Sequence, residues 1–139
     1  MKIKFNYISQ NGQDGWKPER KHYNDAGADI YLPAKTVLPK DKTVSIGLGI
    51  GVEIPDGYFG LIYPRSSWAA KGLQVALPPI DSGYRGEIHA VVTNLSGETI
   101  IVNAGERIGQ LVIQPVVLAE YVTDLGDARG TGAFGSTGK

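Results

Sequence analysis

Two stretches of this 139-residue chain carry side chains whose types and spacing suit chemistry. The first is Leu77-Pro-Pro-Ile-Asp-Ser-Gly-Tyr-Arg-Gly-Glu-Ile88, which sets a carboxylate, a hydroxyl, a phenol and a guanidinium around two glycines. Its centre, Asp81-Ser82-Gly83, is turn chemistry: short polar side chains satisfy nearby backbone groups, and glycine allows positive φ. By itself the stretch is fully accounted for by a hairpin turn in which Asp81 has no chemical role. The second stretch is Arg129-Gly-Thr-Gly-Ala-Phe-Gly-Ser-Thr-Gly138, with too little apolar content to fold on itself. Arg129, Phe134, Ser136 and Thr137 nevertheless place a charge, a flat aromatic and two hydroxyls on a backbone free to wrap a ligand. Glycine-rich amides with hydroxyls suit a phosphate chain. The segment lacks the lysine of a Walker A motif and no helix follows it, which excludes a P-loop.

Composition narrows the function classes. The length fits one domain with a real core. Lysine plus arginine equals aspartate plus glutamate at 14 each, so no overall field points to nucleic acid or a membrane surface. With no cysteine and two histidines, His22 and His89, neither a disulfide framework nor a zinc site is expected. Magnesium stays open, because it takes oxygen ligands and often arrives with substrate phosphates. No apolar run approaches the roughly 20 residues of a membrane span, and the first residues lack a signal-peptide core. The expectation is a soluble, cytoplasmic protein.

The elements that must position these side chains read as short strands. Residues 2–7 alternate and predict an opening strand; 11–24 form a polar loop in which Trp16 anchors the segment. A short strand carrying Asp29 is expected in 26–32, and a glycine-interrupted set of strand residues in 43–54, where glycines suggest bulges or close backbone approach. Pro55-Asp-Gly57 is a strong turn, and 58–63 returns as a strand. The pattern then breaks. Ser66 is the expected cap of a short helix through Trp68 to Lys71, closed by Gly72, and no other helix is predicted. Strands follow over 87–94, 99–102 and 107–117, with 118–124 ending the ordered part. Nineteen glycines and eight prolines, spread through the chain, mark many turns, so the class is all-β: a sandwich, jelly roll or barrel.

Five segments, taken together, resemble the homotrimeric dUTPases (dUTP diphosphatases). They are Ala26-Gly-Ala-Asp-Ile-Tyr31, Pro64-Arg-Ser-Ser67, Ile80-Asp-Ser-Gly-Tyr-Arg-Gly-Glu87, Gly105-Glu-Arg-Ile-Gly-Gln-Leu111 and Arg129 to Gly138, in order across nearly the whole chain. The resemblance implies a jelly-roll-like fold with one short helix, a core over residues 1–128 and a mobile glycine-rich lid over 129–139. It implies a homotrimer with shared active sites: one chain gives the third segment, another the first, second and fourth, and the third its C-terminal segment. The implied reaction is hydrolysis of dUTP to dUMP and pyrophosphate, with Mg²⁺ on the triphosphate, limiting uracil incorporation into DNA and supplying dUMP.

Residue by residue, the resemblance makes Asp81 the general base that activates water for in-line attack on the α-phosphorus. Arg65, Ser66 and Ser67 match the phosphate-binding segment, and Gln110 a residue close to the α-phosphate and the attacking water. Asp29 matches an aspartate that acts on the metal through water. Arg107 is open between a structural ion pair and substrate contact. Tyr84 matches the ring on which the deoxyribose packs, leaving neither room nor partner for a 2′-hydroxyl. Phe134 matches the aromatic that covers uracil, while Arg129, Gly135, Ser136 and Thr137 would reach the phosphates. Pro79 and Ile80 fall in the hairpin expected to read the base. That hairpin departs from the family pattern at Pro78, Pro79 and Val75, and prolines subtract backbone donors where uracil O2 and O4 need them. Ser67 and Ala133 stand where glycine is common.

Two other functions fit the same fold. A dCTP deaminase would need a carboxylate to protonate the cytosine ring, and Glu87 is the nearby one. A nucleotide-gated regulatory module would use the 11–24 loop with Trp16 and Trp68 as contacts for a protein partner, although packing is the favoured reading of each tryptophan.

Overall fold

Short runs of β-branched and aromatic residues between turns pair as antiparallel strands in the computed structural model, which describes residues 1–8, 15–76 and 78–127. In chain order these are β1 (Lys4–Tyr7), β2 (Ala28–Tyr31), β3 (Thr36–Leu38), β4 (Thr43–Gly47), β5 (Ile50–Glu53), β6 (Tyr58–Pro64), the helix α1 (Ser66–Lys71), β7 (Leu73–Val75), β8 (His89–Asn94), β9 (Ile100–Val102) and β10 (Arg107–Pro115). They form four small sheets, ordered β1-β5, β2-β10-β6, β3-β9 and β4-β8-β7. The fold class is all-β with one short helix among the described residues.

Alternation puts one side of several strands inside, β8 among them. In β8, Ala90, Val92 and Asn94 point inward while His89 faces out. The buried set, including Ile30, Leu32, Leu38, Leu48, Ile50, Ile54, Leu73 and Ile108, forms one hydrophobic cluster. Burying each such side chain stabilises by roughly 1.5–3 kcal/mol. Asn94 is the one polar side chain fully buried among them. Its amide donates to the carbonyls of Leu38 and Glu98, each at 2.8 Å, and its Oδ1 accepts from the Ser96 amide at 3.0 Å and the Ser96 hydroxyl at 2.6 Å. One side chain thereby closes the turn after β8 and ties it to β3.

Several expectations change in detail. The glycine-interrupted strand residues of 43–54 form β4 and β5 on either side of Leu48 and Gly49, and the last strand stops at Pro115. The three-residue β3 and β7 carry too little periodicity to be predicted, yet both pair along their length. Ser66 does not cap the helix: Arg65, in extended conformation and without a side-chain cap bond, is the N-cap, and Ser66 is the first helical residue. Arg65, extended as it leaves β6, already takes the N-cap place, so the helical turn begins one residue earlier than the serine rule predicts. Gly72 does close it, at φ 86° and ψ 22°, with its N–H bonded back into the last turn. Trp68 is buried in the core, whereas Trp16 is half-exposed and lies on the Tyr31 ring at 5.7 Å between centroids. Trp16 therefore anchors its segment, as expected.

Candidate active site

The long strand β10 is the scaffold of the first cluster. Its register sets Gln110 opposite Asp29 of β2 on one side and opposite Tyr63 of β6 on the other. A bulge between Arg107 and Gly109 turns the arginine back toward β2. Arg107 Nη1 then donates to Asp29 Oδ2 at 3.2 Å. Arg65, at the end of β6, donates from Nη1 to the Arg107 carbonyl at 3.3 Å. Ser66 and Ser67 stand exposed beside it in the first turn of α1. Residues from the first, second and fourth sequence segments therefore share one patch. It combines two guanidiniums, two hydroxyls, a carboxylate and an amide, the donor set a polyphosphate needs. Arg107 makes the ion pair with Asp29, the structural alternative of its two readings.

Tyr31 borders this patch, one pleat beyond Asp29. Burial pushes its phenol above the ordinary value of 10.0, and the nearby charges of Asp29 and Glu19 push the same way.

The third segment lies elsewhere on the chain. An isolated bridge joins Ile80 to Gly60 of β6, with N–H···O distances of 2.7 and 2.9 Å. Asp81 starts the turn, and its carbonyl accepts from the Tyr84 amide at 3.1 Å. The turn is stapled from outside by the Ser82 hydroxyl donating to Asp56 Oδ1 at 3.0 Å. Arg85 donates to the Ser82 carbonyl and pairs with Glu53 at 3.5 Å. Asp81 itself is exposed and lines a cavity of about 270 Å³ with Pro78, Pro79, Ile80, Tyr84 and Glu87. None of Asp29, Arg65, Ser66, Ser67 or Gln110 lines that cavity. A single chain thus carries two separate halves, one suited to phosphates and one with a carboxylate beside an aromatic ring.

Among the described residues, the hairpin before Asp81 offers few donors. Pro78 and Pro79 have no N–H, the Ala76 amide is taken by the Val91 carbonyl at 2.8 Å, and the Ile80 amide by Gly60. Ile80 thus contributes apolar wall rather than a free amide. The Glu87 carboxylate has a 9% exposed side chain; its Oε2 accepts from the Gly49 amide at 2.9 Å and its Oε1 lies 3.3 Å from His89 Nε2. Asp56, Glu53 and Glu87 as supports of this turn were not evident in the sequence. Their partners are distant in sequence, and only the Gly47-Leu48-Gly49 spacing hinted at a close approach. Arg129, Phe134, Gly135, Ser136 and Thr137 lie outside the described residues.

An antiparallel β protein with a phosphate-suited patch and a separate carboxylate–aromatic cavity has the groups that a nucleotide's phosphates and sugar call for. The dUTPase family model matches residues 14–138. The deoxyuridine 5′-triphosphate nucleotidohydrolase of Mycobacterium marinum is 42% identical over 133 residues, covering 87% of this chain and 86% of that protein. That of Cutibacterium acnes is 45% identical over 121 residues, covering 82% and 80%. Among solved structures, the dUTPase of Staphylococcus bacteriophage 80alpha with dUPNHPP superposes with a TM-score of 0.84 at 28% identity, covering 97% of each chain. A variant dUTPase from phage phi11 of S. aureus, described for its coordination of a structural Mg(II) ion, gives 0.80 at 28% identity over 90% of this chain and 97% of that one. The chain belongs to the dUTPase family.

Proposed function

We propose that this protein hydrolyses dUTP to dUMP and pyrophosphate, with Asp81 as the general base, which limits uracil entry into DNA and supplies dUMP. The observation that carries the reading is the placement of Asp81 and Tyr84 on one cavity, in a chain whose first, second and fourth family segments converge on a separate phosphate-suited patch. Water attacks the α-phosphorus, Asp81 takes its proton, and the bond to the bridging oxygen breaks so that pyrophosphate leaves. A positioned base contributes about 10²–10⁴-fold. Arg65, Ser66, Ser67 and Gln110 hold the phosphates and spread their charge, which phosphoryl transfer needs more than covalent help. Tyr84 packs on the deoxyribose, and Pro79 and Ile80 wall the base.

Mg²⁺ fits the donor set in one way. Among the described residues no three carboxylate or imidazole groups converge. Asp29 offers one half-buried carboxylate already held by Arg107. That suits an ion carried by the triphosphate and met through water, as hydrated magnesium prefers. Bound there, it would neutralise phosphate charge.

The two half-sites favour assembly as a homotrimer, since no single chain joins them. So does the segment after β10, which leaves Val117, Leu118, Tyr121, Val122 and Leu125 exposed on their own chain. Residues 129–139 are assigned as the lid over a core of 1–128. A protein-regulatory role on the same fold is favoured by the phage 80alpha relative, described as controlling transfer of virulence genes by a G protein-like mechanism. Here Trp16 would serve as a contact; Trp68, being buried, would not.

The test is a nucleotide panel with pyrophosphate detection, with and without Mg²⁺. dUTP is expected to be cleaved far faster than UTP, dCTP or dTTP, and faster with Mg²⁺. Ammonia release from dCTP, or no pyrophosphate from dUTP, would overturn the reading.

A further inference from the structure

Tyr84 is nearly half-exposed, yet its ring is held from two directions. Its hydroxyl donates to the backbone carbonyl of Glu87 at 2.5 Å. Its ring edge lies so close over Gly86 that a Cβ there would fall 2.7 Å from the phenol oxygen, 2.9 Å from Cζ and 3.1 Å from Cε1. The ring rests on bare backbone, and only glycine leaves that space.

The acceptor of this hydrogen bond is itself immobilised. Glu87 sends its carboxylate across to the turn between β4 and β5, where Oε2 takes the Gly49 N–H, while Oε1 meets His89 of β8. The carboxylate fills the space over Gly47, at which a Cβ would lie 2.7 and 2.8 Å from the two oxygens. The next residue, Ile88, is fixed by two backbone bonds, donating to Ile50 at 2.8 Å and accepting from Leu48 at 2.9 Å. A carboxylate with a 9% exposed side chain, held by a backbone amide, is a rigid anchor. A chain of fixed contacts therefore runs from the Gly47 to Gly49 turn, through Glu87, to the phenol.

We infer that Gly86 and Glu87 form a seat that sets the Tyr84 ring, making Glu87 a positioning residue for sugar discrimination. A ring free to rotate about χ1 would swing aside and make room for a 2′-hydroxyl. A ring pinned at its far end must first break its hydrogen bond, and the hydroxyl then meets a wall without a partner. The inference rests on the proposed role of Tyr84 against deoxyribose, and deepens it: selectivity against ribonucleotides resides in how firmly the ring is held as well as in its presence.

The experiment compares Tyr84→Ala, Gly86→Ala, Glu87→Ala and Glu87→Gln by kcat/KM for dUTP and for UTP. Nuclear Overhauser contacts between the Tyr84 ring and the residue 86 Hα are recorded on the nucleotide-free proteins. Gly86 is not in the left-handed region, so alanine there perturbs the ring rather than the backbone. Gly86→Ala and Glu87→Ala should each lower the dUTP-to-UTP ratio by about tenfold, the worth of one hydrogen bond, chiefly through a lower KM for UTP. The ring contact to residue 86 should weaken in both. Glu87→Gln keeps an oxygen for the Gly49 amide and should restore most of the ratio. If Glu87→Ala does not fold, Gly86→Ala and Glu87→Gln carry the test. A ratio that falls in Tyr84→Ala but is unchanged in a folded Gly86→Ala overturns the seat while leaving the sugar gate standing. A ratio unchanged in Tyr84→Ala overturns the gate, and the seat's role in discrimination with it.

Discussion

Asp81 and Asn94 are thirteen residues apart and answer to different physics. Asp81 is exposed at the mouth of a cavity, held by the turn around it rather than by its own contacts. Asp81→Asn keeps that shape and removes the base, so kcat should drop by about 10²–10⁴-fold with dUTP affinity nearly intact. Stopped-flow binding beside steady-state turnover checks this; an undiminished kcat would take Asp81 out of the base role. Asn94 lies fully buried with all its polar atoms paired. Asn94→Leu would take the side-chain donor from the Leu38 carbonyl and the acceptor from the Ser96 amide, leaving the Glu98 carbonyl with the Ser96 hydroxyl, at roughly 1–3 kcal/mol for each group left buried and unpaired. Urea unfolding should show the midpoint falling with the m-value unchanged.

β10 is the element on which the phosphate patch depends. Gly109 sits just past its bulge, where a Cβ would lie 2.2 Å from the Tyr63 carbonyl oxygen. A clash with backbone cannot be relieved by a side-chain rotation, so Gly109→Ala should push β6 from β10. Stability and activity should fall together, because Arg65 follows directly on β6 and Gln110 lies on β10. Calorimetry and turnover on the same sample make the comparison. β2 adds a pH term through Tyr31, whose phenol is raised by burial, then by Asp29 and Glu19. The unfolded chain releases this proton first, so the contribution is whole below about pH 10 and is lost as pH rises through the folded value. Tyr31→Phe should flatten that alkaline slope in a series of denaturation curves.

At the scale of the whole molecule, the proposed reading unites two half-sites that do not meet within one chain by assembling copies of it. Sedimentation should give a mass three times that of the chain. Mixing inactive Asp81→Asn with inactive Arg65→Ala protein, followed by subunit exchange, should restore part of the activity, because mixed trimers contain some sites with both native halves. No recovery after demonstrated exchange would place both halves in one chain. Deletion from Arg129 onward should lower turnover with little change in Tm. A large fall in Tm would instead make 129–139 part of the core.

Much of this was legible in the sequence because it is local. Turn residues at Pro55-Asp-Gly57 and Asp81-Ser-Gly83, alternation in 87–94 and glycine at position 72 each act through neighbours a few residues away. The all-β class and the order of the five segments follow from such signals. What only the tertiary structure decided depends on residues far apart in the chain. Asp29 meets Arg107 across 78 residues, and Glu87 reaches Gly49 across 38. Burial of Trp68 and exposure of Trp16 were undecidable from their neighbours, since an aromatic beside small residues suits either surface or core. The missed cap at Arg65 has the same origin, because the path of β6 set where the helix could begin. Strand pairing brings distant side chains together, and its register is set by the whole buried face rather than by any one segment.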